Sequence, residues 1–267
     1  MISGYCTKLL RRGAIAAVLG ILVMGPAPRA AEPKAPAISA DASAAIARMA
    51  KTLAGNQFSF KAWTLRVYES SAKGQPLHIG HTMNVTVRRP DRLAVDLTGD
   101  DGRAKLLYDG KTAVIFSPDT NRYASIPAPN TIQGMIDQVM GKLGVDFPLA
   151  TFISDAPDKD FLSGVTSGDV VNTVTIDGTP SQHLIFNQPG MELELWVEQG
   201  ERAVPRRLVV TYTALPDRPN FIAELSDWKF DIQPDESIFA FQPPAGATQV
   251  EFKSEKNATP PPAKRKE

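Results

Sequence analysis

The segment "LHIGHTMNVTVRR", residues 77–89, alternates strictly between two sets of side chains. Leu77, Ile79, His81, Met83, Val85 and Val87 form one set, and His78, Gly80, Thr82, Asn84, Thr86 and Arg88 form the other. A period of two sends successive side chains to opposite faces, so this stretch reads as a half-buried strand. Similar runs occupy 58–69, 92–97, 104–108, 111–116, 122–126, 170–177, 182–188, 191–198, 206–214 and 221–232. Turn chemistry joins them at Lys73-Gly74, Asp101-Gly102, Asp109-Gly110, Asp177-Gly178 and Pro189-Gly190. Short strands linked this way predict one large antiparallel sheet.

Helical spacing interrupts the alternation in a few places. Ile46, Met49, Ala50 and Leu53 recur at intervals of three and four, with Asp41 placed to cap and Gly55 to stop a helix ahead of the strands. In "NTIQGMIDQVMGKLG", Ile132, Met135, Ile136, Val139, Met140 and Leu143 form a second stripe, capped by Asn130 or Thr131 and ended near Gly141 or Gly144. A short third helix, "FPLATFIS", starts at Pro148. So few helices cannot cover both faces of a sheet of roughly ten strands. One face is therefore wet, as in "MELELWVE", where Met191, Leu193, Leu195 and Val197 oppose Glu192, Glu194, Trp196 and Glu198. The predicted class is α+β, a single curled antiparallel sheet with the insertion helices over its opening.

The ends differ from the middle. Lys8, Arg11 and Arg12 precede an apolar run from Gly13 to Met24, which reads as a cleavable signal peptide over 1–30 and predicts export to the periplasm. The apolar run falls well short of the ~20 residues that span a bilayer. Residues 31–40 read as a linker, 41–252 as the folded domain, and 253–267 as a polar tail. Cys6 is the only cysteine, so the mature chain has no thiolate nucleophile, cysteine metal site or disulfide. Without the four basic residues of 1–30, 25 Lys and Arg face 29 Asp and Glu. A net charge of −4 carries no nucleic-acid footprint.

The usual chemistries find little support. His78 and His81 are an odd number of residues apart on a strand and point to opposite faces. His183 has no acid at a meaningful spacing, and the acids of "SDAPDKD" and "TGDDG" do not fit a calcium loop. No nucleophile elbow, phosphate loop or paired-histidine metal motif is present, so no catalytic residue, metal or cofactor is assigned. Arg89 is more informative. Alternation places it on the apolar face at the rim, where Pro90 ends the strand. There it reaches helix-end carbonyls or a ligand headgroup, or it packs its stem and snorkels its head to water. The ligand-facing candidates are Met135, Ile136, Met140, Phe147 and Phe152, adaptable or large residues of the kind that line apolar sites. A methionine stripe is also common in plain cores.

The segment "VRRPDRLAVDLTGDDGRAKLLYDGKTAVIFSPDTNRYASIPAP" resembles the periplasmic carrier fold of the LolA and LolB type. In those proteins a strand ending in Arg-Pro leads through another strand to an Asp-Gly-Lys-Thr hairpin. "SIFAFQPPAGA" resembles their closing Phe-x-Phe-x-Pro-Pro-x-Gly segment. The chain is also similar, over most of its mature length, to a family of predicted periplasmic proteins, domain of unknown function 2092. The resemblance implies an open half-barrel of about eleven strands, with helices as a lid over an apolar cavity. It implies a hydrophobic ligand, a lipid or an acylated lipoprotein, exchanged with a transient membrane-protein donor or acceptor. It also implies that Arg89, matching the carriers' Arg-Pro arginine, holds the lid backbone closed. The alternative is a periplasmic interaction or sensor module with the same fold, for which Trp196 on the wet face is the candidate contact.

Overall fold

The computed structural model describes residues 37–68, 75–143 and 147–251. The signal-peptide reading, residues 31–36 of the linker, the turn at Lys73-Gly74 and the tail at 253–267 lie outside these. Helix α1 (Ala40–Leu53) opens the fold, followed by strands β1 (Gln57–Tyr68), β2 (Leu77–Arg88), β3 (Arg92–Gly99), β4 (Gly102–Tyr108), β5 (Thr112–Ser117) and β6 (Arg122–Pro127). Three helices follow: α2 (Ile132–Leu143), α3 (Ala150–Ile153) and α4 (Pro157–Leu162). The chain then forms β7 (Ser167–Ile176), β8 (Thr179–Gln188), β9 (Met191–Glu198), β10 (Pro205–Thr211), β11 (Asn220–Phe230) and the two-residue β12 (Thr248–Gln249).

All twelve strands belong to one sheet of order β12-β6-β5-β4-β3-β2-β1-β11-β10-β9-β8-β7. Each half is a meander, and the halves meet where β1 pairs antiparallel with β11, from Phe58 opposite Phe230 to Arg66 opposite Phe221. Among the described strand pairs, β12–β6 is parallel and the rest are antiparallel. This arrangement fixes where the helices go. The segment between β6 and β7 must travel from one side of the sheet to the other, so α2, α3 and α4 cross the apolar face. The expected α+β class, with one large open curled sheet, an N-terminal helix and a helical insertion, is what the structure has, and the eleven strands read from alternation are β1 to β11.

Several local expectations need correction. Residues 37–40 are not linker: Ile38 bridges Gly168, and Ser39 N donates to Gly168 O at 2.9 Å. Ser39, not Asp41, caps α1, its Oγ accepting from Ala42 N at 3.3 Å, while Asp41 lies in the first turn. Either residue type can cap; the one whose extended backbone lets the helix start is chosen. Pro148 and Leu149 form a turn, and the helix after them is only Ala150–Ile153. The acids of "SDAPDKD" are not all loop, since Asp158 and Asp160 sit in the first turn of α4 behind Pro157. Pro near a helix start followed by acids is a legible start signal. In β2 the alternation is real, but only Met83, Val85 and Val87 are buried, and Leu77 is exposed, because the helices cover one end of the long strands.

Helix α1 packs on β7, β9, α3 and α4. It buries Ala42, Ala45, Ile46, Met49 and Leu53 completely. Sealing Ile46, Met49 and Leu53 stabilises by roughly 1.5–3 kcal/mol each.

Candidate functional site

The loop between β2 and β3 is the point at which the helices are tied to the sheet. Arg89 follows Val87 on the inner face, and its side chain is only 9% exposed. Its Nη1 donates to Leu53 O at 2.8 Å and Gly55 O at 2.6 Å, and its Nη2 to Ser154 O at 2.6 Å. The first two carbonyls close α1, and the third closes α3. One guanidinium thus joins two helix ends whose carbonyls have no partner within their own helices, with the cation where the helix dipoles favour it. The ring of Phe58 lies 5.1 Å from its carbon centre, and Asp155 Oδ1 stands 3.5 Å from Nε. Burial pushes the Arg89 guanidinium below its ordinary pKa, and Asp155 opposes that shift. Arginine stays charged in either case.

The same loop holds the start of α2. Pro90 O accepts from Ile132 N at 2.8 Å. Tyr108, fully buried at the end of β4, donates its hydroxyl to Pro129 O, with Thr131 O at 3.4 Å. Burial is the main cause that pushes the Tyr108 hydroxyl up to about 12. Thr131 caps α2, its Oγ1 accepting from Gly134 N at 3.1 Å. A Cβ at position 134 would stand 2.9 Å from Pro129 Cβ, so glycine is what lets the helix start approach this closely. From outside, Glu236 accepts from Arg92 Nε at 2.7 Å and from Arg88, bridging two arginines that face each other across β2 and β3. Those bonds, Arg88 first, hold the Glu236 carboxyl below the usual carboxylate range.

Beneath α2 the sheet is hollow. A cavity of about 200 Å³ lies between α2 and the inner face of β3, β4 and β5, with Leu93, Val95, Leu106 and Ile115 on the sheet side and Met135 on the helix side. A second cavity, about 430 Å³, opens on the other flank of α2 toward α3, α4, β9 and β10. Ile136, Met140 and Phe147 line both. Of the candidates named from sequence, Met135, Ile136, Met140 and Phe147 therefore converge here. Phe152 does not: it is fully buried core and lines neither cavity. Arg89 is at the tether, not in the cavity wall.

Sequence reasoning missed the sheet-side wall, Tyr108 and Glu236. The wall was visible as apolar alternation, but alternation does not say whether the facing space is filled. On the outer face, His183 does have an acid, with Nε2 2.8 Å from Glu194 Oε2, because β8 and β9 run side by side. Trp196 stacks on His183 with centroids 4.1 Å apart and carries Arg207 above its ring at 5.4 Å. Among the described residues no group of three or more His, Cys, Asp or Glu is placed to hold a metal ion.

No curated protein matches the chain. Similar solved structures include the lipoprotein LppX of Mycobacterium tuberculosis, at 17% identity and TM-score 0.47, covering 74% of this chain and 100% of that one. An uncharacterized conserved protein from Thermus thermophilus aligns at 10% identity and TM-score 0.46, covering 79% of this chain and 99% of the other. A LolA superfamily protein from Nitrosomonas europaea aligns at 14% identity and TM-score 0.36, covering 73% and 97%. The family model described as "Predicted periplasmic protein (DUF2092)" matches residues 42–253, and the chain belongs to that family.

Proposed function

We propose that this chain is a soluble periplasmic carrier that holds a lipid or acyl chain between α2 and the curled sheet, with Arg89 latching the lid. The observation that carries this reading is the apolar hollow under α2. A well-packed core leaves few voids larger than a water molecule, so a hollow walled by aliphatic side chains and Met is a site for apolar matter. Transfer of an acyl chain into it is worth ~0.8 kcal/mol per CH2, enough to compete with a bilayer. The first cavity is smaller than the ~300–1,000 Å³ of ordinary small-molecule sites. A long chain therefore needs both cavities, and the partition of Ile136, Met140 and Phe147 must shift to admit it.

That requirement gives Arg89 its role. It ties α3 to the end of α1 through three carbonyls, so releasing it frees the lid from its hinge side while Tyr108 and Pro90 still hold the start of α2. The likeness of the Arg-Pro turn to that of LolA-type carriers supports the same assignment. Under this reading the chain performs no chemistry and exchanges its cargo with a donor and an acceptor at membranes. For the interaction-module alternative the candidate Trp196 stacks on His183 and has Arg207 over its ring, so less of its ring is free for a partner.

Lipid extraction and mass spectrometry of the gently purified mature protein test the proposal, together with titration by an uncharged apolar dye. Co-purifying lipid or saturable dye uptake is expected. The absence of both overturns the carrier reading.

A further inference from the structure

The two cavities flanking α2 offer different walls. The first is apolar apart from Lys105, whose Nζ is already bound to Asp96 at 2.7 Å. The second has polar side chains along one side, among them Gln133, Asp137, Asp160 and Gln188. Among the described residues its charged lining groups are those two acids, and no Lys, Arg or His joins them. Among the described residues neither carboxylate has a cationic partner. Asp137 accepts one bond, from Gln133 Nε2 at 2.7 Å, which leaves acceptor capacity on both acids. Lys142 and Lys159, on the same two helices, are exposed and lie outside the lining. Thr151, also in this wall, has an Oγ1 shut off from solvent with no hydrogen-bond partner among the described residues.

Because Ile136, Met140 and Phe147 line both spaces, an amphiphile lying across them has the end of its tail in the first cavity, and the rest of its tail and its head in the second. Building on the carrier reading, we propose that the second cavity is a head-group site. It takes a neutral or cationic head that donates hydrogen bonds, an amine or a hydroxyl, and disfavours a carboxylate or phosphate. Carboxylates only accept, so a donating head matches them. Two like charges at the mouth of a low-dielectric cleft also set up a negative potential that repels an anion. Both acids are exposed, which keeps the preference moderate and sensitive to salt.

The test is displacement of an uncharged apolar dye from the mature protein by dodecylammonium, dodecanol and dodecanoate, each below its aggregation concentration. The amine is expected to displace at about fivefold lower concentration than the carboxylate at low salt, with the alcohol between them. The gap should narrow in 1 M salt and close in the Asp137→Asn/Asp160→Asn double variant, whose exposed substitutions spare the apolar walls. Equal or stronger displacement by dodecanoate, or a gap that survives in the double variant, overturns the head-group site and leaves the carrier reading standing. Failure of the dye and all three amphiphiles to bind overturns both.

Discussion

Helices α1 and α2 lie on the same concave face and have the same kind of apolar stripe, yet one seals its half of the sheet and the other leaves its half hollow. Under α1 the small Ala42 and Ala45 lie among Ile46, Met49 and Leu53, and all five are at 0% exposure. The helix can therefore settle close to the sheet. In α2 the stripe carries the long flexible Met135 and Met140, Gly134 and Gly141 lie beside it in the same helix, and Met140 and the nearby Phe147 remain partly buried. Glycine inside a helix costs about 1 kcal/mol relative to alanine, so α2 is intrinsically weak and relies on its tethers. The same periodicity thus serves as a sealed wall in one place and as the roof of a cavity in the other.

That contrast can be broken by mutation, and the largest effect is expected in α1. Leu53→Ala should cost about 2–5 kcal/mol in chemical denaturation, because a sealed site cannot collapse around the loss. A cost below about 1 kcal/mol would show that α1 is no better packed than α2. Next comes Arg89→Leu, which strands Leu53 O, Gly55 O and Ser154 O. A loss of about 2–3 kcal/mol is expected, with increased dye uptake as the lid loosens. Stability loss without a change in uptake would make Arg89 a structural tie only.

Tyr108→Phe removes the hydroxyl that holds the start of α2 and should cost about 1 kcal/mol. It also has a pH signature. The folded value is raised to about 12 from 10.0. A raised folded value means the neutral hydroxyl's contribution is complete below pH 10 and is lost as pH climbs through about 12. Wild type should therefore weaken over that window more than the Phe variant does. Smallest of all, Gly141→Ala meets nothing within 4 Å and should stabilise by about 0.4–1 kcal/mol while reducing dye uptake. Unchanged uptake would show that the stiffness of α2 does not govern entry.

The eleven long strands were legible to within a few residues, because alternation and turn chemistry are local, while the two-residue β12 was not. The inward phase of Arg89 followed from counting twos from Val85, and the α2 stripe from counting threes and fours. The partners of these residues were not legible. Glu236 meets Arg92 across 144 positions of sequence, and Arg89 meets Ser154 across 65. Phe152 shows the opposite error: it resembles Phe147 in type and neighbourhood, but the short helix α3 turns it into the core.

The sequence by itself determined the eleven long strands, the two long helices and the inward phase of most strand side chains, since backbone periods of two and 3.6 act between near neighbours. Only the tertiary structure decided that β1 pairs with β11, which sends the insertion across the whole apolar face. It also decided that the space beneath α2 is hollow and the space beneath α1 is full. Filling depends on the summed volumes and shapes of side chains brought together from distant strands, and no local pattern carries that sum.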